Sequence, residues 1–164
     1  MTVKEYSVGC FSSATIEILI KELTAKGQKP DAIFVDYLNL MASTSIPASE
    51  AGSTYQYIKS IAEELRALAQ KYDLAIITAT QSNRGGLKLG RAIELDSTSE
   101  SHGLPSTLDL YIAIVTTEEL EKSKKLMYKQ LKNRRRSIGV DQFLVVNVNK
   151  SKMRIFETPP QLRI

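Results

Sequence analysis

The sequence predicts a mixed α/β sheet with a parallel core, an antiparallel hairpin at one edge and flanking helices. Two short apolar runs, at residues 31–37 and 74–80, have the pattern of strands buried on both faces, as in a parallel sheet. One helix separates them along the chain, so we expect the two strands to be neighbours in the sheet. Residues 126–131 and 142–148 are predicted as antiparallel strands joined by a basic turn that contains Gly139.

Apolar spacing and helix breakers place the two main helices. Ser12 or Ser13 is predicted to cap the first helix, which ends at Gly27 and Pro30 and carries an apolar stripe of Ile16, Leu19, Ile20 and Leu23. The second helix is predicted to begin at Ser53 and to end near Lys71, with an apolar stripe of Tyr57, Ile61, Leu65 and Leu68.

The remaining segments are shorter. We predict strands at residues 3–7, 108–115 and 153–156, connections at residues 43–52 and 118–122, and a flexible stretch at residues 82–94. Residues 95–106 are predicted as a polar helical piece that Gly103 and Pro105 interrupt. Pro159 and Pro160 end the ordered part, so residues 1–158 are predicted as one domain and residues 159–164 as a tail.

The composition excludes several classes of protein. With 164 residues, 43% of them hydrophobic and 24% charged, the chain is typical of a globular domain with a real core. No apolar run has the length of a membrane span, and the pattern of a signal peptide is absent. A single cysteine and a single histidine exclude an internal disulfide framework, argue against a zinc site and favour an intracellular location.

The positive charge is unevenly distributed. The formal net charge is +4, and residues 122–136 contain eight basic side chains and no acidic one. A run of this kind usually forms a solvated surface. The same run could also contact the phosphates of a nucleotide or a nucleic acid, and charge alone does not separate these two interpretations.

Two polar residues follow the predicted parallel strands. Asp36 ends the first apolar run, and Gln81 follows the second. Because ligands bind beyond the carboxyl ends of parallel strands, both residues belong to the edge where chemistry is expected. A carboxylate there suits nucleotide-bound magnesium, directly or through water, and a glutamine can orient a water or sense a γ-phosphate. Taken singly, either residue is also explained by an ordinary strand end.

A third candidate is the run Lys132-Asn133-Arg134, at the end of the first hairpin strand. An arginine at this position could reach the nucleotide of a neighbouring subunit and stabilise the charge that develops in phosphoryl transfer. The alternative is that the three successive arginines from Arg134 to Arg136 only make a turn soluble.

Four short motifs of this chain occur in the order in which one family of proteins has them. They are Asp36-Tyr37-Leu38, Thr80-Gln81-Ser82-Asn83-Arg84, the pair of Glu100-Ser101 and Asp109, and Lys132-Asn133-Arg134. Their order and approximate spacing resemble those of the hexameric replicative DNA helicases of the DnaB-like family, whose motor domain is of the RecA type. The resemblance covers nearly the whole chain and is greatest to the helicases of tailed phages, including the segment Glu118-Glu119-Leu120.

The resemblance implies a RecA-like, partial P-loop NTPase fold with ATP and Mg²⁺ as cofactors. Asp36 is similar to the Walker B carboxylate that acts on Mg²⁺, and Gln81 to the residue that couples the γ-phosphate to the DNA loops. Lys132 and Arg134 resemble the pair that reaches the neighbour's nucleotide. The catalytic residues implied are therefore Asp36, Gln81 and Arg134.

The resemblance also implies partners and a location. It suggests a homo-hexamer around single-stranded DNA, with primase and a helicase loader as protein partners, no membrane association, and a place in the cytoplasm (that of the bacterial host for a phage protein). The residues expected to contact the DNA are Arg84, Lys88, Arg91, Glu100 and Gly103. One departure is that Ser99 stands before Glu100, where bacterial members have an arginine, so another residue such as His102 could make that contact.

A larger departure is the absence of a phosphate-binding loop. The sequence G-x-x-x-x-G-K-[ST] occurs nowhere in the chain. We therefore expect the chain to be the C-terminal part of a longer helicase, and to be inactive alone. Two alternatives stay open: a non-catalytic RecA-like module that binds single-stranded nucleic acid, and another RecA-like ATPase such as a recombinase or a clock-type ATPase.

Overall fold

The computed structural model describes residues 1–50, 52–81, 103–136 and 143–156. It divides into two compact units, Met1–Leu108 and Asp109–Ile164, and each is described by itself. The predicted flexible stretch at residues 82–94, the basic turn with Gly139, and Pro159 with Pro160 lie outside the described residues.

The two long helices of the first unit begin and end as the sequence predicts. Helix α1 spans Ser13–Ala25 with Ser12 as its N-cap, and it ends before Gly27, whose φ of +74° favours glycine. Helix α2 spans Thr54–Tyr72, and the Ser53 hydroxyl accepts a hydrogen bond from the Gln56 amide. A short third helix, α3, spans Gly103–Thr107.

The parallel part of the fold is a two-stranded sheet. Strand β1, Ala32–Val35, pairs in parallel with β2, Ala75–Thr78, so that Val35 lies opposite Thr78. One face of this sheet joins the stripes of α1 and α2 in a single core, whose fully buried members are Ile16, Ile20, Leu38 and Ile61. The predicted pairing of the two strands is confirmed.

The prediction that both faces of these strands are buried is wrong for the described residues. The side chain of Phe34 is 77% exposed and that of Ile77 43% exposed. Successive side chains of a strand point to opposite faces, and the core formed with α1 and α2 covers only the face that carries Ile33, Val35 and Ile76. Within the part of the unit that the structure describes, one apolar face of this sheet is therefore exposed.

The second unit contains an antiparallel sheet. Strands β3 (Leu110–Val115), β4 (Lys125–Asn133), β5 (Phe143–Asn149) and β6 (Arg154–Phe156) lie side by side in that order. The predicted hairpin is β4 with β5, in which Met127 lies opposite Val145. A parallel pair, an antiparallel sheet and flanking helices together confirm the predicted mixed α/β class.

Three local predictions were wrong. Residues 3–7 are exposed and form no strand, because an isolated extended segment has no neighbour to bond with. Pro105 lies inside α3 rather than interrupting it, since proline is tolerated in a first helical turn, and residues 95–102 of the predicted helical piece lie outside the described residues. Residues 118–122 form a fourth helix, α4 (Glu118–Lys122), whose start is capped by the Thr117 hydroxyl, which accepts from the Leu120 amide.

Candidate functional site

Asp36 and Gln81 lie beyond the same end of the parallel sheet. Asp36 directly follows β1, and Gln81 is the third residue after β2. Since β1 and β2 are paired and parallel, both residues leave the sheet on the same side, where ligands of open parallel sheets bind. Both side chains are exposed. We call the residues Asp36, Asn39, Thr80 and Gln81 the strand-end site.

Three hydrogen bonds join the two sides of the strand-end site. The Thr78 hydroxyl donates to the Val35 carbonyl at 2.9 Å, and the Leu38 amide donates to the Ala79 carbonyl at 3.0 Å. One residue further on, the Thr80 hydroxyl donates to the Asn39 side-chain oxygen at 2.8 Å. The contacts continue the pairing of β1 and β2 past the sheet, so the segments that carry Asp36 and Gln81 are held side by side.

The position of Asp36 is fixed by apolar residues around it. Val35 is 7% exposed, and Leu38, which opens a 3₁₀ turn at Leu38–Leu40, is 1% exposed. Met41, just past that turn, is 3% exposed. The core therefore fixes the backbone before and after Asp36, and the Asp36 side chain is exposed to solvent, where it can meet a ligand. The peptide bond between Asp36 and Tyr37 is cis.

Glu64 of α2 accepts hydrogen bonds from two other parts of the first unit. Its carboxylate accepts from the hydroxyls of Ser13 and Ser43, each at 2.6 Å. It also accepts from the backbone amides of Thr44, at 2.9 and 3.1 Å, and Ser45, at 3.1 Å. The cluster joins α1, α2 and the segment that follows the Asp36 strand.

The pKa of Glu64 reflects this environment. Partial burial by itself raises the pKa of a carboxyl, but the hydrogen bonds from Ser13, Ser43 and Thr44 outweigh burial and lower it to about 2. The group is therefore an anion throughout the physiological range. The amphipathic pattern of α2 gave no sign of this role, because all but one of its donors are 19 to 51 residues away in sequence.

Lys132 and Arg134 belong to the second unit. Lys132 lies in β4 opposite Tyr111 of β3, and Arg134 follows β4 directly. The Arg134 amide donates to the Asp109 carbonyl at 2.8 Å, and its guanidinium lies 3.1 Å from the Asp109 carboxylate. Both partners of this ion pair are exposed to solvent, and an exposed pair contributes little to stability. The two predicted cations are thus at the accessible end of one strand.

Most residues predicted to contact DNA fall outside the part of the chain that the structure describes. They are Arg84, Lys88, Arg91 and Glu100, and Ser99 and His102 lie outside it too. Gly103 is the first residue of α3. The neighbouring Leu104 is buried in the core of the first unit, which anchors the start of that helix.

The strand-end site offers one carboxylate. Among the described residues, no group of three or more His, Cys, Asp or Glu side chains could hold a metal ion. A site with one carboxylate suits Mg²⁺ that is held mainly by the phosphates of a nucleotide, because Mg²⁺ usually keeps several waters and takes few protein ligands. The described helices include none that is long and apolar enough to cross a membrane.

Comparison with known families gives the site a context. The model of the family described as DnaB-like helicase C terminal domain matches residues 7–92, just over half of the 164 residues. The chain belongs to this family. The match includes Asp36 and Gln81, so both sides of the strand-end site lie in the DnaB-like part of the chain.

The relatives agree with this assignment. The chain is 36% identical over 135 residues to a DnaB-like replicative helicase of Enterobacteria phage T4, a match that covers 82% of this chain and 28% of the relative. The chain therefore spans little more than a quarter of the length of that helicase.

Two solved structures share the fold. One is described as an ATPase domain, with a TM-score of 0.71 and 20% identity over 91% of this chain and 52% of that one. The other is a DnaB-like replicative helicase described with its interactions with primase, with a TM-score of 0.72 and 18% identity over 91% of this chain and 36% of that one. The predicted RecA-like fold of a DnaB-like ATPase domain is confirmed.

Proposed function

We propose that residues 1–158 are the C-terminal part of the motor domain of an ATP-dependent replicative DNA helicase, with residues 159–164 as a tail. The motor would translocate on single-stranded DNA and unwind duplex DNA at the fork. The observation that carries the proposal is the strand-end site, in which Asp36 and Gln81 leave paired parallel strands together, inside the residues that match the DnaB-like family.

In this proposal Asp36 and Gln81 act on the phosphates of ATP. When bound, Mg²⁺ would supply neutralisation of the charge that develops on the phosphates during hydrolysis. The exposed Asp36 carboxylate would hold that ion, directly or through water, and the Gln81 amide would contact the γ-phosphate or the attacking water. The hydrogen bond from Thr80 to Asn39 supports this role, because it keeps the Gln81 segment beside the Asp36 segment.

Lys132 and Arg134 act in trans on the nucleotide of a neighbouring subunit of a homo-hexamer. An arginine that stabilises the charge of phosphoryl transfer must be able to leave its own subunit's contacts. The exposed ion pair with Asp109 supports this, since exposed pairs contribute only about 0–1 kcal/mol and exchange readily for a phosphate. The resemblance of Lys132-Asn133-Arg134 to the helicase motif supports the assignment independently.

Single-stranded DNA is the proposed substrate. Arg84, Lys88 and Arg91 supply cations for its phosphates, and Glu100 and Gly103 belong to the segment that faces it. One solved relative is described with primase, so we propose primase as a partner of this helicase too, together with a helicase loader, in the cytoplasm of a bacterial host.

The exposed apolar face of β1 and β2 supports the view that this chain works with further parts of a motor domain. Phe34 and Ile77 are large apolar side chains on that face. Soluble proteins rarely leave such patches open unless another surface covers them. The chain also contains no phosphate-binding loop, so we propose that ATP is held by a helicase polypeptide in which such a loop accompanies these residues.

ATP hydrolysis tests the proposal. We expect this chain alone to release no phosphate from ATP, and the helicase polypeptide that joins it to a phosphate-binding loop to hydrolyse ATP and separate DNA strands. Asp36→Asn should reduce hydrolysis by at least about 100-fold, whereas Asp31→Asn, at the other end of β1, should leave it unchanged. If the joined protein binds single-stranded DNA but never hydrolyses ATP, the chain is a binding module and the proposal is wrong.

A further inference from the structure

The segment that follows the Asp36 strand has no regular secondary structure, yet its backbone amides donate hydrogen bonds to side chains. We call residues 43–46 the latch segment. The Ser43 amide donates to the Tyr57 hydroxyl at 3.1 Å, and the Thr44 amide donates to the Glu64 carboxylate. The Ser45 amide donates to Glu64 and to the Ser43 hydroxyl, and the Ile46 amide donates to the Ser43 hydroxyl at 3.1 Å. All four amides of the segment are therefore bonded.

Two of the three acceptors come from α2. Tyr57 and Glu64 are two helical turns apart on the same face, and both reach the latch segment. Bonds to a carboxylate are about twice as strong as neutral ones, so Glu64 is the stronger of the two anchors. The third acceptor, the Ser43 hydroxyl, itself donates to Glu64 at 2.6 Å. Its orientation therefore depends on the same carboxylate.

The latch segment is continuous with the strand-end site. Met41 is buried, and the Ala42 amide donates to the Phe11 carbonyl at 2.7 Å, so the chain is fixed from Asp36 up to the first residue of the segment. Tyr57 and Glu64 together extend this fixed path through the four residues of the latch segment. Beyond the latch segment lies the exposed stretch 47–50.

We propose that Glu64 is a positioning residue, which holds the latch segment so that the loop beyond it is presented to single-stranded DNA. The inference rests on the proposed function, which supplies the DNA. A carboxylate suits this task because one group accepts from two consecutive amides and two hydroxyls at once, which no neutral side chain can do. The Ser13 hydroxyl, on the first residue of α1, donates to Oε2 of the carboxylate, whereas the Ser43 hydroxyl donates to Oε1.

Amide hydrogen exchange of this chain tests the latch directly. In Glu64→Gln and Glu64→Ala we expect the Thr44 and Ser45 amides to exchange at least about tenfold faster, while amides in the middle of α2 keep their rates. Glu63→Gln is the matched control, since Glu63 is exposed and its carboxylate lies 3.5 Å from the Lys59 ammonium, on the same helix. Unchanged exchange rates of the Thr44 and Ser45 amides in Glu64→Gln would overturn the positioning role. The Gln variant alone is sufficient for this test if the Ala variant does not fold.

A second readout tests the link to DNA. In the helicase polypeptide, Glu64→Gln should raise the oligo(dT) concentration that half-saturates ATP hydrolysis by about three- to tenfold. The rate at saturating oligo(dT) should stay within about twofold of the unsubstituted rate. Faster exchange with an unchanged half-saturating concentration overturns the role in DNA binding. If the unsubstituted polypeptide hydrolyses no ATP, the proposed function is wrong. The positioning role of Glu64 is then tested by amide exchange alone.

Discussion

The Glu64 cluster should make the stability of this chain depend on pH. Glu64 has a pKa of about 2 in the folded chain against an ordinary value of 4.5. A carboxyl whose pKa is lower when folded stabilises the fold above its unfolded pKa, and this contribution is lost as the pH falls towards the folded pKa. The window is therefore between about pH 4.5 and pH 2.

The contribution of Glu64 to the free energy of unfolding depends on the same two pKa values. A tenfold difference in proton affinity corresponds to about 1.4 kcal/mol, so the full difference gives a ceiling of about 3 kcal/mol at pH 7. Glu64 is only half-buried, and solvent screening reduces this to about 1–2 kcal/mol. Since glutamine has the shape of a protonated glutamate, Glu64→Gln should lower the free energy of unfolding by that amount at pH 7.

Urea unfolding followed by circular dichroism measures the effect. We expect the gap between the unsubstituted chain and Glu64→Gln to be about 1–2 kcal/mol at pH 7 and to shrink steadily as the pH falls towards 2. Glu63→Gln, the exposed neighbour, should stay within about 0.5 kcal/mol at every pH. A gap for Glu64→Gln that is the same at pH 7 and pH 3, or that is absent at pH 7, would show that the ionised Glu64 carboxylate does not stabilise the fold.

Other substitutions test the core and the ends of α2 by the same unfolding assay. Ile61→Ala, which truncates a side chain with 0% exposure, should lower the free energy of unfolding by about 3–4 kcal/mol. Ile18→Ala, at a side chain that is 59% exposed, should lower it by less than about 0.5 kcal/mol, and equal losses would contradict the assigned core. Ser53→Ala removes the N-cap acceptor and should cost about 1 kcal/mol, and Ser53→Asp, which keeps an acceptor, should restore most of it. Asp73→Gly should stabilise the chain by about 0.5 kcal/mol, because Asp73 ends α2 at a φ of 50°, a left-handed conformation that favours glycine. A clear loss of stability would contradict that backbone conformation.

The parts of the fold that depend on local pattern could be predicted from the sequence. The stripes of α1 and α2 follow from apolar residues three and four apart, and the caps Ser12 and Ser53 from the preference for serine at the N-cap. The pairing of β1 with β2 follows from one connecting helix, and this alone placed Asp36 and Gln81 at one end of the sheet.

Features that depend on distant contacts could not be predicted in this way. Whether Phe34 is buried depends on what packs against the outer face of β1, and an apolar run in the sequence looks the same in both cases. Glu64 is an acidic residue on a helix with a clear apolar stripe, and such residues are usually solvated. Its hydrogen bonds to Ser13 and Ser43 exist only once α1 and the latch segment have packed beside α2.

In the proposed helicase, Asp36 of one subunit and Arg134 of its neighbour act on the same ATP. The most direct measurement is the rate of ATP hydrolysis by an equal mixture of two helicase polypeptides, one with Asp36→Asn and the other with Arg134→Ala. Each should be inactive alone. In mixed assemblies, about a quarter of the subunit interfaces combine an intact Asp36 with an intact Arg134, so we predict recovery of about a quarter of the unsubstituted rate. A mixture as inactive as its components, or an Arg134→Ala protein that is active alone, would contradict the claim.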